Sequence, residues 1–157
     1  MLLEIIPLKG VGPIRFGMTS EEVQSVMKEF CGVQYRHSKS KETDYFFGSA
    51  LEVTYDECSR ADFIGAQYYS GCGCDFEIYG IDPFDNDAKT LFEHIASKQT
   101  DDHDFDPDDY LFRDTIITLW GSEEQYDHKG GETRPVYAQV GIGNENYLEA
   151  IDQITSA

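Results

Sequence analysis

From residue 19 to residue 31 the apolar side chains fall at Val23, Val26, Met27 and Phe30. These are positions i, i+3, i+4 and i+7, one face of a 3.6-residue period, and they predict a helix. Thr19 stands at the N-cap position and Glu22 three residues on, so each side chain can bond the other's backbone amide. Gly32 follows the last apolar residue, where a left-handed residue commonly ends a helix. Adding 65 to each apolar position gives Ala88, Leu91, Phe92 and Ile95, the same stripe again. The same offset carries Asp44-Tyr45-Phe46-Phe47 onto Asp109-Tyr110-Leu111-Phe112, and Leu51 and Tyr55 onto Ile116 and Trp120. A helix and a strand recurring in one order at one spacing is the pattern of a tandem repeat.

The remaining pattern fills in two units, residues 1–79 and 80–157. Leu2 to Ile6 alternates weakly as a short strand or arm, and Gly10, Gly12 and Pro13 break it. Residues 34–43 are polar and basic and read as a loop. Residues 44–56 read as one strand, 61–70 as a second strand rich in aromatics, and 75–79 as a third. In the second unit Asp85 is the expected N-cap, and the helix runs to about Lys98. Residues 101–108 form an acidic loop and 110–120 a strand. The repeat would bury Ile116 and Trp120, whereas simple alternation equally allows Ile117 and Leu119. A polar connection over 121–133 leads to a strand over 134–143. A short closing helix over 146–155 carries Tyr147, Leu148, Ile151 and Ile154 on one face. The expected fold class is α+β: two similar units, each a helix on an antiparallel sheet, with the two sheets either separate or joined as one continuous sheet.

Charge changes what such a fold is expected to meet. The 157 residues hold 30 acids against 12 bases, a net charge of -18. Residues 1–78 account for -5 of this and residues 79–157 for -13. Nucleic acid and anionic lipid would be repelled, so neither is an expected partner, and a basic protein is. The run Leu2-Leu3-Glu4-Ile5-Ile6 is too short and too interrupted by charge for a signal peptide, and no stretch has membrane-spanning length. The expected location is the cytoplasm, with the four cysteines reduced.

Candidate chemistry is sparse. Asp102, Asp104 and Asp106 match the first, third and fifth positions of a calcium loop, but Pro107 and Arg113 stand where glycine and glutamate are required. The acidic loop is then either a solvated face or a contact surface for a basic partner. Cys72-Gly73-Cys74 lacks the second pair that structural zinc needs, and Cys31 and Cys58 are isolated. His37, His94, His103 and His128 are scattered. No nucleophile elbow, phosphate loop or HExxH helix is present. The expectation is a binding protein without catalytic residues, metal or cofactor. Its candidate contact residues are Asp101, Asp102, Asp104, Asp106, Asp108 and Asp109, with Tyr68 and Tyr69 next.

The run Gly10-Val11-Gly12-Pro13-Ile14-Arg15-Phe16-Gly17-Met18-Thr19-Ser20-Glu21-Glu22-Val23, with the strand Phe112 to Trp120, resembles small bacterial proteins encoded beside polymorphic toxins, several of them immunity proteins. The repeated helix-then-sheet order resembles, more distantly, the tandem architecture of the β-lactamase inhibitor protein and the single unit of small outer-membrane-assembly lipoproteins. This chain lacks the lipoprotein signal and the cysteine near the start, a departure that speaks against membrane assembly. The resemblance implies a protein that neutralises a cognate toxin, here a basic one, by covering its active surface. A small-ligand-binding or enzymatic α+β domain, with a pocket between helix and sheet, is the alternative.

Overall fold

The computed structural model describes residues 1–121, 124–126, 129 and 133–156; of the sequence expectations, His128 and part of the 121–133 connection lie outside them. The fold is α+β, and its chain order begins β1 (Leu2–Ile6), β2 (Gly10–Val11), β3 (Ile14–Arg15) and α1 (Ser20–Cys31). It continues through β4 (His37–Ser40), β5 (Thr43–Phe46), β6 (Leu51–Tyr55), β7 (Ala61–Ala66) and β8 (Asp75–Ile78) to α2 (Ala88–Ala96). β9 (Asp109–Phe112), β10 (Ile117–Trp120), β11 (Glu124–Tyr126), β12 (Thr133–Pro135), β13 (Gln139–Gly143) and α3 (Glu145–Ser156) complete it.

Seven strands form one antiparallel sheet in the order β4-β5-β6-β7-β13-β10-β9. A second, four-stranded sheet has the order β3-β2-β1-β8, and in it β1 and β8 run parallel. Among the described strands this is the one parallel pairing. β8 follows β7 in sequence but leaves the main sheet to pair with β1, where Leu3 and Ile5 join Phe76 and Ile78 in the core.

α1 begins as the sequence predicts. The Glu22 amide donates to Thr19 Oγ1 at 3.2 Å and the Thr19 amide to Glu22 Oε1 at 3.2 Å, and the C-cap Gly32 has φ +56°. Its buried face is Val23, Met27 and Cys31 rather than Val23 to Phe30. Phe30 is 41% exposed, because the helix turns an i, i+4, i+8 stripe to the core and leaves Phe30 on its flank. α2 buries Ala88, Leu91, Phe92 and Ile95, the full expected set. Its N-cap is Asp87 rather than Asp85: the Thr90 amide donates to Asp87 Oδ1 at 2.7 Å. The helix stops at Ala96, two residues short of the expected end.

Both long strands of the sequence reading are hairpins. Residues 44–56 split into β5 and β6 around Phe47 and Gly48, which have φ of +55° and +66°. The left-handed pair turns the chain where polarity alone shows no break. Residues 110–120 split likewise into β9 and β10. In register, Phe46 faces Leu51 and Asp44 faces Val53 in the first hairpin; Phe112 faces Ile117 and Tyr110 faces Leu119 in the second. The hairpins correspond at a spacing of 66, not 65. One residue of slip exchanges the two faces of a strand, so Ile117 and Leu119 are buried and Trp120 is 60% exposed. Ile116 is buried too, but from the turn, at φ +55°.

Three further expectations change. The polar stretch 34–43 contains β4, an edge strand whose exposed Ser38, Lys39 and Ser40 conceal it from a hydrophobicity pattern. β7 ends at Ala66, so Tyr68 and Tyr69 lie beyond it. The expected strand 134–143 is broken into β12 and β13. α3 is present, but its stripe is only half-buried at Tyr147, Leu148 and Ile151, and Ile154 is 76% exposed. Among the described residues no helix is long and apolar enough to cross a membrane.

Candidate functional site

The seven-stranded sheet has two unlike faces. Phe46, Leu51, Val53, Ile64, Val140, Ile142, Ile117, Leu119 and Phe112 face the core that contains α1 and α2. Alternation sends Glu52, Gly65, Gly141, Thr118 and Leu111 to the other face. α3 covers part of this outer face, with the Tyr147 ring stacked on Phe63 at 4.6 Å. The rest is a groove of about 410 Å³ whose lining includes Phe63, Leu111, Thr118, Trp120, Gln139 and Tyr147. Gly65 and Gly141 face each other across β7 and β13, and the Gln139 and Phe63 side chains that line the groove lie down over them. A Cβ on Gly141 would lie 2.5 Å from both the Phe63 ring and Thr118 Oγ1.

The acidic loop reaches this groove at one point. Asp109 opens β9 opposite Trp120 and lines the groove with it. Asp101, Asp102, Asp104, Asp108 and Asp109 are exposed, and Asp106 is half-buried. The loop is tied down from within: the Tyr137 hydroxyl donates to the Asp106 carbonyl at 2.5 Å, the Asp108 amide to Asp106 Oδ1 at 2.9 Å, and the Gly121 amide to the Asp108 carbonyl at 2.7 Å. Tyr68 and Tyr69 are half-buried and engaged elsewhere. The Tyr69 hydroxyl donates to the Phe47 carbonyl at 2.8 Å, and the Lys129 ammonium lies 4.5 Å from the centre of the Tyr68 ring. Lys129 also pairs with Asp75 and Asp82.

Two polar clusters have the ingredients of catalysis but a different order. Asp44 is fully buried and accepts from Ser20 Oγ at 2.6 Å and the Tyr55 hydroxyl at 2.6 Å, with His37 Nε2 at 2.7 Å. The carboxylate sits between serine and histidine, whereas base-activated attack needs histidine in the middle. Burial pushes the Asp44 carboxyl up, but the hydrogen bonds from Ser20, Tyr55 and His37 outweigh it and hold it below its ordinary value. The cluster docks the first residue of α1 onto β5. In the acidic half, His103 Nδ1 is 2.7 Å from the Tyr110 hydroxyl, and His103 Nε2 is 3.5 Å from Asp114 Oδ1. Burial first, and then Asp104, Asp114 and Asp106, raise the Tyr110 phenol, the opposite of what an activated nucleophile requires. The line of three side chains anchors the loop to β9. The pairing of His103 with Asp114 went unnoticed in the sequence, because their 11-residue separation has no motif spacing.

Cys72 and Cys74 are buried with Sγ atoms 3.9 Å apart, and burial followed by Cys72 raises the Cys74 thiol. Among the described residues no group of three or more His, Cys, Asp or Glu is placed to hold a metal ion.

A second cavity, of about 400 Å³, lies between the β6–β7 turn and α3. Asp62 lines it and is 8% exposed. Burial, then the charge of Asp56, push its carboxyl up to about 6. Above that value the folded protein carries a buried charge that the unfolded chain hydrates, so stability falls as pH rises from about 4 to about 6. Asp62→Asn should therefore raise stability by about 1–3 kcal/mol near neutral pH, with the gain shrinking towards pH 4. Urea titration at two pH values measures this, and a variant no more stable than the parent at neutral pH contradicts it.

Compared with family models, with curated proteins and with solved structures, the chain shows no match in any of the three.

Proposed function

We propose that this chain is an immunity-type inhibitor that binds a basic bacterial toxin and occludes its active surface through the outer face of the seven-stranded sheet. The observation that carries the reading is Trp120, an indole 60% exposed that lines a groove with Phe63, Leu111 and Tyr147. Exposed tryptophan in a concave, partly apolar surface is the usual centre of binding energy. The acidic loop adjoins that face through Asp109, and the net charge of -18 favours a basic partner. Division of labour follows: the loop speeds encounter and the groove sets residence time. Tyr68 and Tyr69, already engaged with Lys129 and Phe47, move to the edge of the proposed interface.

The test is binding kinetics against the toxin domain encoded by the neighbouring gene, at two ionic strengths. Replacing Asp101, Asp102, Asp104 and Asp106 together by Asn should slow association and flatten its salt dependence, with little change in dissociation. Trp120→Ala should speed dissociation by about 30-fold or more, the equivalent of about 2 kcal/mol, with association nearly unchanged. A Trp120→Ala variant that dissociates like the parent would remove the groove from the interface.

A further inference from the structure

The pairing of β6 with β7 is irregular at one place. Thr54 faces Phe63 and Tyr55 faces Ala61, so Asp62 is an extra residue without a cross-strand partner. A bulge of this kind re-aims a side chain, and bulges collect beside binding sites. Asp62 occurs in the run Ala61-Asp62-Phe63-Ile64-Gly65-Ala66, every member of which is buried. Its carboxylate lines the cavity under α3, and among the described residues no Lys, Arg or His pairs with it. The groups that lower its pKa are the Thr54 hydroxyl and its own backbone amide. Asp56, Glu57 and Glu149 add three more acids to the lining, which contains no base. Arg60, the nearest cation in sequence, donates to the Gly17 carbonyl at 3.1 Å and lies 3.7 Å from Glu22. Asn146 Nδ2 donates to Asp56 Oδ2 at 3.0 Å and joins the turn to α3, which closes the cavity on that side.

A carboxylate buried beside another carboxylate costs stability unless it takes up a proton or meets a cation, and Asp62 has the Thr54 hydroxyl but no cationic partner among the described residues. We propose that this cavity receives the guanidinium of an arginine side chain, with Asp62 at its base and Glu149 and Asp56 on its walls. Arginine fits better than a metal ion, because no three acids converge as ligands. It fits better than lysine because a planar fork of five donors can serve several carboxylates at once and is less strongly hydrated. Tyr55 also lines the cavity and offers a ring to stack on. That the arginine belongs to a protein partner rests on the reading given under Proposed function. The cavity itself is tested without that partner.

The probe is N-acetyl-arginine N-methylamide, titrated into the full chain and followed by NMR shifts, with the uncharged citrulline analogue as control. The arginine probe should bind saturably and shift the amides of the β6–β7 turn and the first turns of α3, while the citrulline analogue binds about tenfold weaker or less. Asp62→Asn should weaken the arginine probe about tenfold without loss of fold, and Glu149→Gln, an exposed change on α3, should weaken it in the same direction. Asp102→Asn in the distant acidic loop should leave it unchanged. Equal binding of both probes, shifts confined to other surfaces, or an Asp62→Asn affinity within about twofold of the parent would each overturn the assignment. Such failure leaves the Trp120 groove untouched. Loss of toxin binding on Trp120→Ala with the arginine probe still bound would separate the two surfaces in the other direction.

Discussion

Phe92→Ala should cost about 3–5 kcal/mol of stability, the usual range for truncating a fully buried aromatic ring. Phe92 is 1% exposed on α2 and packs against three rings at once. The Phe105 centroid lies 5.5 Å away in an edge-on arrangement, Tyr110 lies at 4.9 Å, also edge-on, and Phe112 at 4.9 Å. These residues belong to α2, the acidic loop and β9, so the cavity left by alanine cannot close by moving one side chain. Phe30 stands at the position related to Ile95 by the 65-residue spacing, yet at 41% exposure its truncation should cost less than about 1 kcal/mol. Denaturant titration of the two variants side by side decides the matter. A small loss at Phe92, or a loss at Phe30 comparable with that at Phe92, would contradict the packing. Because Phe105 leans on Phe92, the first variant should also speed proteolysis within residues 101–108.

Asp44→Ala should destabilise the protein by about 3–5 kcal/mol. The substitution removes the acceptor shared by the half-buried Ser20 and Tyr55 hydroxyls and the His37 ring, and it detaches the start of α1 from β5. The sign with pH is opposite to that at Asp62. The Asp44 carboxyl is held below its ordinary value of 3.8, so its contribution is complete above that value and is lost as pH falls through the folded value. Parent and variant should therefore converge in stability at strongly acidic pH. A gap that stays constant from neutral to acid pH would show that Asp44 acts by shape rather than charge. Asp62 and Asp44 lie on the same sheet and pull in opposite directions: one carboxylate is held by Ser20, Tyr55 and His37, and the other has no cationic partner among the described residues. The stability recovered by Asp62→Asn would come at the expense of the proposed arginine, a common trade at binding sites.

The sequence by itself determined that the helices exist and where α1 begins, whereas the N-cap of α2 fell at Asp87 rather than Asp85 and its end at Ala96. Thr19 with Glu22 placed α1 to the residue, since a capping box is a local arrangement of a few atoms that needs no distant partner. The stripe Ala88, Leu91, Phe92, Ile95 likewise identified the buried face of α2, because its apolar residues are uninterrupted. Strands were legible as stretches of β-forming residues, but their turns and faces were not. Nothing in Phe46-Phe47-Gly48-Ser49 sets the 66-residue correspondence of the hairpins; that depends on how β6 pairs with β7 and β10 with β13. A one-residue shift there exchanges core and surface, and of the two faces the sequence allowed it buried Ile117 and Leu119 and left Trp120 exposed. The acidic loop was visible as a run of aspartates, whereas its anchors, His103 with Asp114 and Tyr137, come from segments that only folding brings together. Asp62 is the sharpest case. In sequence it is one acid in an apolar strand, but the bulge opposite Tyr55 and the approach of α3 turn it into the base of a cavity. A bulge is fixed by the pairing of two strands, and a cavity by what packs over them, so neither is written in the local order of residues.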